Sequence, residues 1–259
     1  MPLKITRLMF LSLLLVATGA CTDRSMVVLQ ERPVRLVTSS SPTIFPQEWR
    51  TAEIQATASA LKPPERERTK RILNQALLKY PARVLQQNLQ TIYVVSELHY
   101  RGIGASGTNC ERDLYIANGG SELGYDDACL EGTFHHEFSS VLLWYYPEYL
   151  NKTAWNAVNP RGFRYGEDGV AAVKAKHDST EADPALCAKG FLCEYSQASL
   201  EDDFNMLAEY LFTGNPTLPR LVAQYPKLKH KQDLVLAFYQ KVDPAFTPAY
   251  FASLTPPQR

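Results

Sequence analysis

The chain has 259 residues, enough for one medium domain with targeting and linker segments, or for two small domains. Apolar residues make up 45% and charged residues 21%, a globular balance that excludes wholesale disorder. The 27 basic and 27 acidic residues cancel, and no basic patch is long enough to suggest nucleic acid as a partner.

At the N-terminus Lys4 and Arg7 precede an apolar stretch, Leu8 to Ala17, about half the length of a membrane-spanning helix. Residues 1–20 therefore read as a signal peptide. The following Thr18-Gly19-Ala20-Cys21 resembles the bacterial lipobox, with Thr18 where that pattern usually has Leu. The resemblance implies an acylated (palmitate-bearing) Cys21 and membrane contact through a lipid anchor only. Thr22, in place of Asp, points it to the outer membrane. Ordinary signal cleavage near the same point is the rival reading. Four cysteines then remain, Cys110, Cys129, Cys187 and Cys193. An even number in an exported chain suggests two disulfides, and proximity favours Cys110–Cys129 and Cys187–Cys193. No C-x-x-C pair supports a four-cysteine zinc site.

Residues 21–50, rich in Ser, Thr and Pro, read as a lipid-anchored tether, and residues 51–259 as the folded domain. Ile72, Leu73, Ala76, Leu77 and Tyr80 keep helical spacing over Glu65–Tyr80, and Pro81 ends that helix. Thr91–Val95 is β-branched and aromatic and reads as a strand. Residues 101–107 read as a turn or loop, and Leu114–Ala117 as a second strand closed by Asn118-Gly119-Gly120. A helix pattern runs from about Leu130 to Tyr146 and stops at Pro147. Residues 170–189 give no clear pattern. Glu201–Phe212, with acids at its start, and Leu228–Val242 read as further helices. The order is α+β, with a small antiparallel sheet and a helical C-terminal half.

The chemistry-bearing segment is Phe134-His135-His136-Glu137-Phe138-Ser139-Ser140. His-Glu-x-x-His on a helix puts two histidines on one face, one turn apart, to bind zinc, and the Glu activates a water. Here His136 and Glu137 are in place, but the second ligand position holds Ser140, a poor zinc ligand. His135 points about 100° away around the helix and does not replace it. Taken alone, such a cluster on an apolar helix is more often a core feature.

Downstream, Tyr195 precedes the acidic helix start Glu201-Asp202-Asp203-Phe204. Together with the His136-Glu137 helix, this order resembles zinc-binding metallopeptidase lipoproteins of the gluzincin, lethal-factor-like type, over about residues 85–215. The resemblance implies a zincin-like domain with Zn2+ as cofactor, His136 as ligand and Glu137 as general base. Tyr195 would be the oxyanion donor. The third ligand falls on Asp202 by register, with Glu201 as rival and Asp203 a weaker one. The bland reading of all three acids is helix capping. Tyr165 could line a substrate groove or pack internally, and Trp144, Tyr145, Tyr146 and Trp155 are most simply core.

Two functions follow. One is a zinc peptidase hydrolysing peptide bonds with a metal-activated water. The other is a catalytically inactive zincin-fold lipoprotein that binds a peptide or protein partner at the cell envelope, with Ser140 marking the lost metal.

Overall fold

A computed structural model describes residues 26–28 and 34–256. The signal peptide and the lipobox Cys21 lie outside the described residues.

Alternating apolar residues build one seven-stranded sheet: β1 (Met26–Val28), β2 (Arg35–Val37), β3 (Thr57–Ala60), β4 (Thr91–Tyr100), β5 (Ile103–Gly104), β6 (Gly107–Cys110) and β7 (Asp113–Ala117). The strand order is β1-β2-β4-β7-β6, and β3 and β5 also pair with β4. The sheet is mixed, not antiparallel as the sequence suggested. β4 runs parallel to β2 on one side and to β7 on the other. The β2–β4 pairing needs a crossover, and two helices between them supply it. Residues 101–107 contain β5 and the start of β6, so most of the expected loop belongs to the sheet.

The expected tether is also corrected. Val34, Leu36 and Val37 are buried, and β2 pairs with the central strand. Phe45 and Trp49 cover the outer sheet face, stacking on Tyr115 at 5.1 and 5.4 Å between ring centroids. Ser, Thr and Pro cluster at residues 38–43, yet the apolar side chains on either side of that run anchor the segment in the core.

Among the described residues ten α-helices cover the inner face and form the C-terminal half: α1 (Glu65–Leu78), α2 (Ala82–Asn88), α3 (Asp127–Tyr145), α4 (Lys152–Val158), α5 (Gly169–Ala175), α6 (Pro184–Cys187), α7 (Leu200–Phe212), α8 (Leu218–Gln224), α9 (Pro226–Val242) and α10 (Pro248–Ser253). Among the described residues no helix is long and apolar enough to cross a membrane. The central element is α3. Asp126 caps it by accepting the Cys129 N–H at 2.8 Å, and Pro147 closes off its C-terminal end. Phe134 and Phe138 are fully buried among the aromatic rings of Tyr80 and its neighbours. Trp155 is core as expected, but Trp144 is 77% exposed and Tyr145 41% exposed. They sit in the last turn of α3, at the surface end of the helix.

The four cysteines are free thiols. The expected Cys110–Cys129 bridge fails on topology. Cys110 packs with the aromatic cluster on the outer sheet face, whereas Cys129 lies in the first turn of α3 on the inner side. Cys187 and Cys193 are both buried, but the Cys187 thiol faces the Leu192 carbonyl at 3.5 Å and the Cys193 sulfur faces the Ser196 hydroxyl at 3.4 Å.

Behind α7, the Lys231 ammonium donates to Asp203 Oδ2 at 2.5 Å, with both side chains fully buried. Lys231 also lies over the Phe191 ring, 4.0 Å from its centroid. Removing one partner strands the other as an uncompensated charge. Lys231→Met is therefore expected to cost about 3–5 kcal/mol in urea unfolding, and Lys231→Met with Asp203→Leu much less than that.

Candidate functional site

The site forms where α3 crosses α7 beneath the edge strand β6. On α3, Gly132, His136 and Ser140 recur at four-residue spacing and share one face. On α7, Asp202, Asn205 and Glu209 do the same, at spacings of three and four. A Cβ at Gly132 would lie 2.8 Å from Glu209 Oε1, so a larger residue there would make the Glu209 carboxylate shift from its place against α3.

Three of the four residues named above as principal site residues meet here directly. His136 Nε2 faces Asp202 Oδ1 at 3.9 Å, and the Tyr195 ring lies 5.9 Å from the imidazole between centroids. The Tyr195 hydroxyl and Asp202 Oδ1 both lie against Gly169. Glu137, the fourth, stands beside them and accepts a hydrogen bond from Asn109 Nδ2 at 2.8 Å. Asn109 comes from β6, whose alternation turns Asn109 and Gly107 toward α3 and Cys110 away from it. Glu137 Oε1 lies over Gly107, where a Cβ would be only 2.6 Å away.

The acidic triplet separates by helix geometry. Glu201 reaches Ser140 at the exposed rim, Asp202 faces His136, and Asp203 turns back into the core to Lys231. Asp203 also accepts from the Tyr165 hydroxyl at 2.7 Å, and the half-buried Tyr165 ring lines a cavity with Pro160 and Phe163. Asp202 takes part in the cap of α7 and also faces His136. Ser199 caps α7, accepting the Asp202 N–H at 3.0 Å and donating its hydroxyl to Asp202 Oδ2 at 2.6 Å. Oδ2 is thereby held, and Oδ1 is presented to His136.

Three partners were not foreseen. Glu209 Oε2 takes the other ring nitrogen of His136, Nδ1, at 3.4 Å. It stands seven residues after Asp202, two helical turns, which is the spacing that could have revealed it. Asn205 Nδ2 donates to Ser140 Oγ at 2.6 Å. Asn109 lay between the expected loop at 101–107 and the expected strand at Leu114–Ala117, in a stretch that gave no signal. His135, in contrast, is fully buried between Tyr80, whose hydroxyl meets Nδ1 at 2.9 Å, and Glu131, which is itself paired with Lys79. It braces α3 and does not enter the site.

The electrostatics follow from this packing. Burial disfavours the His136 imidazolium, but the Asp202 and Glu209 carboxylates facing its two ring nitrogens outweigh it and lift the pKa to about 10. Burial pushes Glu137 up to about 7, against the pull of His136 and Asn109. Burial, then the Asp202 and Glu137 carboxylates, raise the Tyr195 phenol well above its ordinary value, so it is a proton donor at all working pH.

A zinc ion takes ligands at roughly 2.0–2.2 Å, so two of them spanning one ion stand some 3–4 Å apart. The His136–Asp202 separation fits that span, and Glu209 on Nδ1 is the outer carboxylate that orients a metal-binding imidazole. Ser140 adds only a hydroxyl oxygen already bonded to Asn205. Among the described residues no three His, Cys, Asp or Glu side chains converge tightly enough to hold a metal. The donor set thus fits an ion through two protein ligands, one fewer than a catalytic zinc site usually has.

Comparison of the chain with protein-family models, with curated proteins and with solved structures returned no match.

Glu137 is a stability liability by this account. Its folded-state pKa lies above its unfolded value, so the folded protein loses stability relative to the unfolded chain as pH rises from about 4.5 to about 7. Glu137→Gln, which keeps the Asn109 contact, is expected to raise the unfolding free energy at pH 8 by about 1–3 kcal/mol and to flatten its decline over that window. Urea titrations of both proteins at pH 5 and pH 8 measure this. An unchanged or lower stability of the variant at pH 8 would contradict it.

Proposed function

We propose that the chain is an envelope lipoprotein carrying a zincin-like domain that hydrolyses peptide bonds with a metal-activated water. The observation that carries the reading is the convergence of His136, Asp202 and Tyr195, with Glu137 alongside, at the α3–α7 crossing. These residues come from segments about 60 positions apart. The order of elements supports the zincin-like assignment: a strand pair, the His136-Glu137 helix, the Tyr195 turn and the Asp202 helix. The Lys4–Cys21 segment supports export and a lipid anchor.

His136 Nε2 and Asp202 Oδ1 would hold the ion. Bound zinc supplies Lewis acidity, lowering the pKa of a ligated water toward neutrality. The chain's own residues carry the remaining work. Glu209 keeps Nδ1 engaged and Nε2 pointed at the ligand position. Glu137 accepts a proton at Oε1, the oxygen that Asn109 leaves free above Gly107. Tyr195 donates its hydroxyl to the oxyanion that forms on the attacked carbonyl.

The Ser140–Asn205 hydrogen bond favours a second reading, a metal-free binding module. It closes the position of the missing histidine with an internal contact, which holds α3 to α7 without an ion. Metal analysis of the purified protein separates the two. Under the peptidase reading one zinc per chain is expected, lost in His136→Ala and in Asp202→Asn. Ser140→His combined with Asn205→Ala is expected to tighten zinc by roughly tenfold or more. A folded wild-type protein that stays metal-free after dialysis against zinc would leave the binding module standing.

A further inference from the structure

Helix α5 lies over the site, yet little apolar burial holds it there. Its first residue, Gly169, sits so close to Tyr195 that a Cβ would collide with the Tyr195 hydroxyl, and the same Cβ would stand 3.3 Å from Asp202 Oδ1. Just before it, Gly166 donates its N–H to the Gln197 carbonyl at 3.0 Å. The segment 166–175 therefore rests directly on the turn that carries Tyr195. The rest of α5 is poorly seated. None of its residues is buried, and its side chains beyond Gly169 are valine, alanine and lysine. Between Ala171, Ala172 and Ala175 on one side and Glu194 and Ala198 on the other lies a cavity of about 500 Å³. A short helix that leaves such a void beneath it has few contacts to break when it moves.

One charged contact ties this segment to the opposite wall. Arg101 Nη1 donates to Asp168 Oδ2 at 2.6 Å. Arg101 belongs to the tight turn between β4 and β5, with a positive φ of 50°, and its backbone N–H is bonded to the Ile54 carbonyl. Its position is thus fixed by the sheet. Asp168 caps α5 through its other oxygen, accepting the Ala171 N–H at 2.8 Å. The same carboxylate starts the helix and fastens it to the sheet.

We propose that α5 is a lid over the Tyr195–Asp202 side of the site, latched by the Arg101–Asp168 ion pair, and that its opening admits the substrate. The inference takes from the proposed function only that Tyr195 and Asp202 face a ligand. Neither Arg101 nor Asp168 belongs to the catalytic machinery, so the latch can be cut without touching it.

The test compares the whole protein with Arg101→Gln and Asp168→Asn. Asparagine keeps the cap of α5 and removes the charge. Two signals are read: hydrogen exchange of the 169–175 amides, and hydroxyl-radical labelling of Tyr195 resolved by peptide mapping. An exposed ion pair of this kind contributes a factor of roughly two to five. Both signals are expected to rise by about that factor in each variant, with α3 and α7 exchange unchanged. Sodium chloride at about 1 M should produce the same rise in the wild type and none in the variants, because salt screens the pair. Unchanged exchange in both variants would show that no latch exists. Faster exchange without faster Tyr195 labelling would show that α5 moves but covers nothing. Both signals are read without metal or turnover, so failure of the peptidase reading leaves a distinct result: zinc and cleavage absent, lid behaviour intact.

Discussion

The close crossing of α3 over α7 is the constraint on which the rest of the molecule depends. Two helices with large apolar faces would meet at a distance set by their side chains. Here Gly132 removes one side chain, and Glu209 fills the gap against the α3 backbone. His136 then falls between two carboxylates of α7, and Ser140 falls opposite Asn205. The polar seam sits inside an apolar shell made by Phe134, Phe138, Phe204 and Phe212. Low polarity around the seam strengthens each of its hydrogen bonds and also explains why the ionisable groups depart so far from their ordinary behaviour.

The core of the site was legible in the sequence because its signals were local. His136 and Glu137 are adjacent, and Asp202 stands in fixed register with Tyr195 and Phe204. The ambiguity among Glu201, Asp202 and Asp203 yielded only to three dimensions. Successive helical positions rotate by about 100°, so three neighbouring acids reach three different destinations. The ones at the rim and in the core each have a partner on another element, Ser140 and Lys231, which no local pattern reveals.

What stayed hidden was long-range. Asn109 acts through strand alternation in a segment too short and polar to read as a strand. The sheet is mixed because β4 runs parallel to both β7 and β2, and β2 lies in a segment masked by its Ser, Thr and Pro composition. Trp144 and Tyr145 looked like core by residue type, but the end of α3 outruns the body that would have covered them. Of the suggested cysteine pairs, Cys110 and Cys129 lie on different sides of the sheet, while Cys187 and Cys193 share one core and face the Leu192 carbonyl and the Ser196 hydroxyl.

Asp202 and Glu137 stand in opposite relations to folding. Asp202 is bound into the N-terminal cap of α7 through Ser199, so the scaffold favours its retention whether or not chemistry occurs. Glu137 is a carboxylate set into a nearly dry wall with one amide donor, and the scaffold gains nothing from its charge. In lineages released from selection for catalysis, drift would therefore erase Glu137 first and leave Asp202 in place. A substitution at Glu137 would leave the fold as firm or firmer, whereas one at Asp202 would loosen the start of α7.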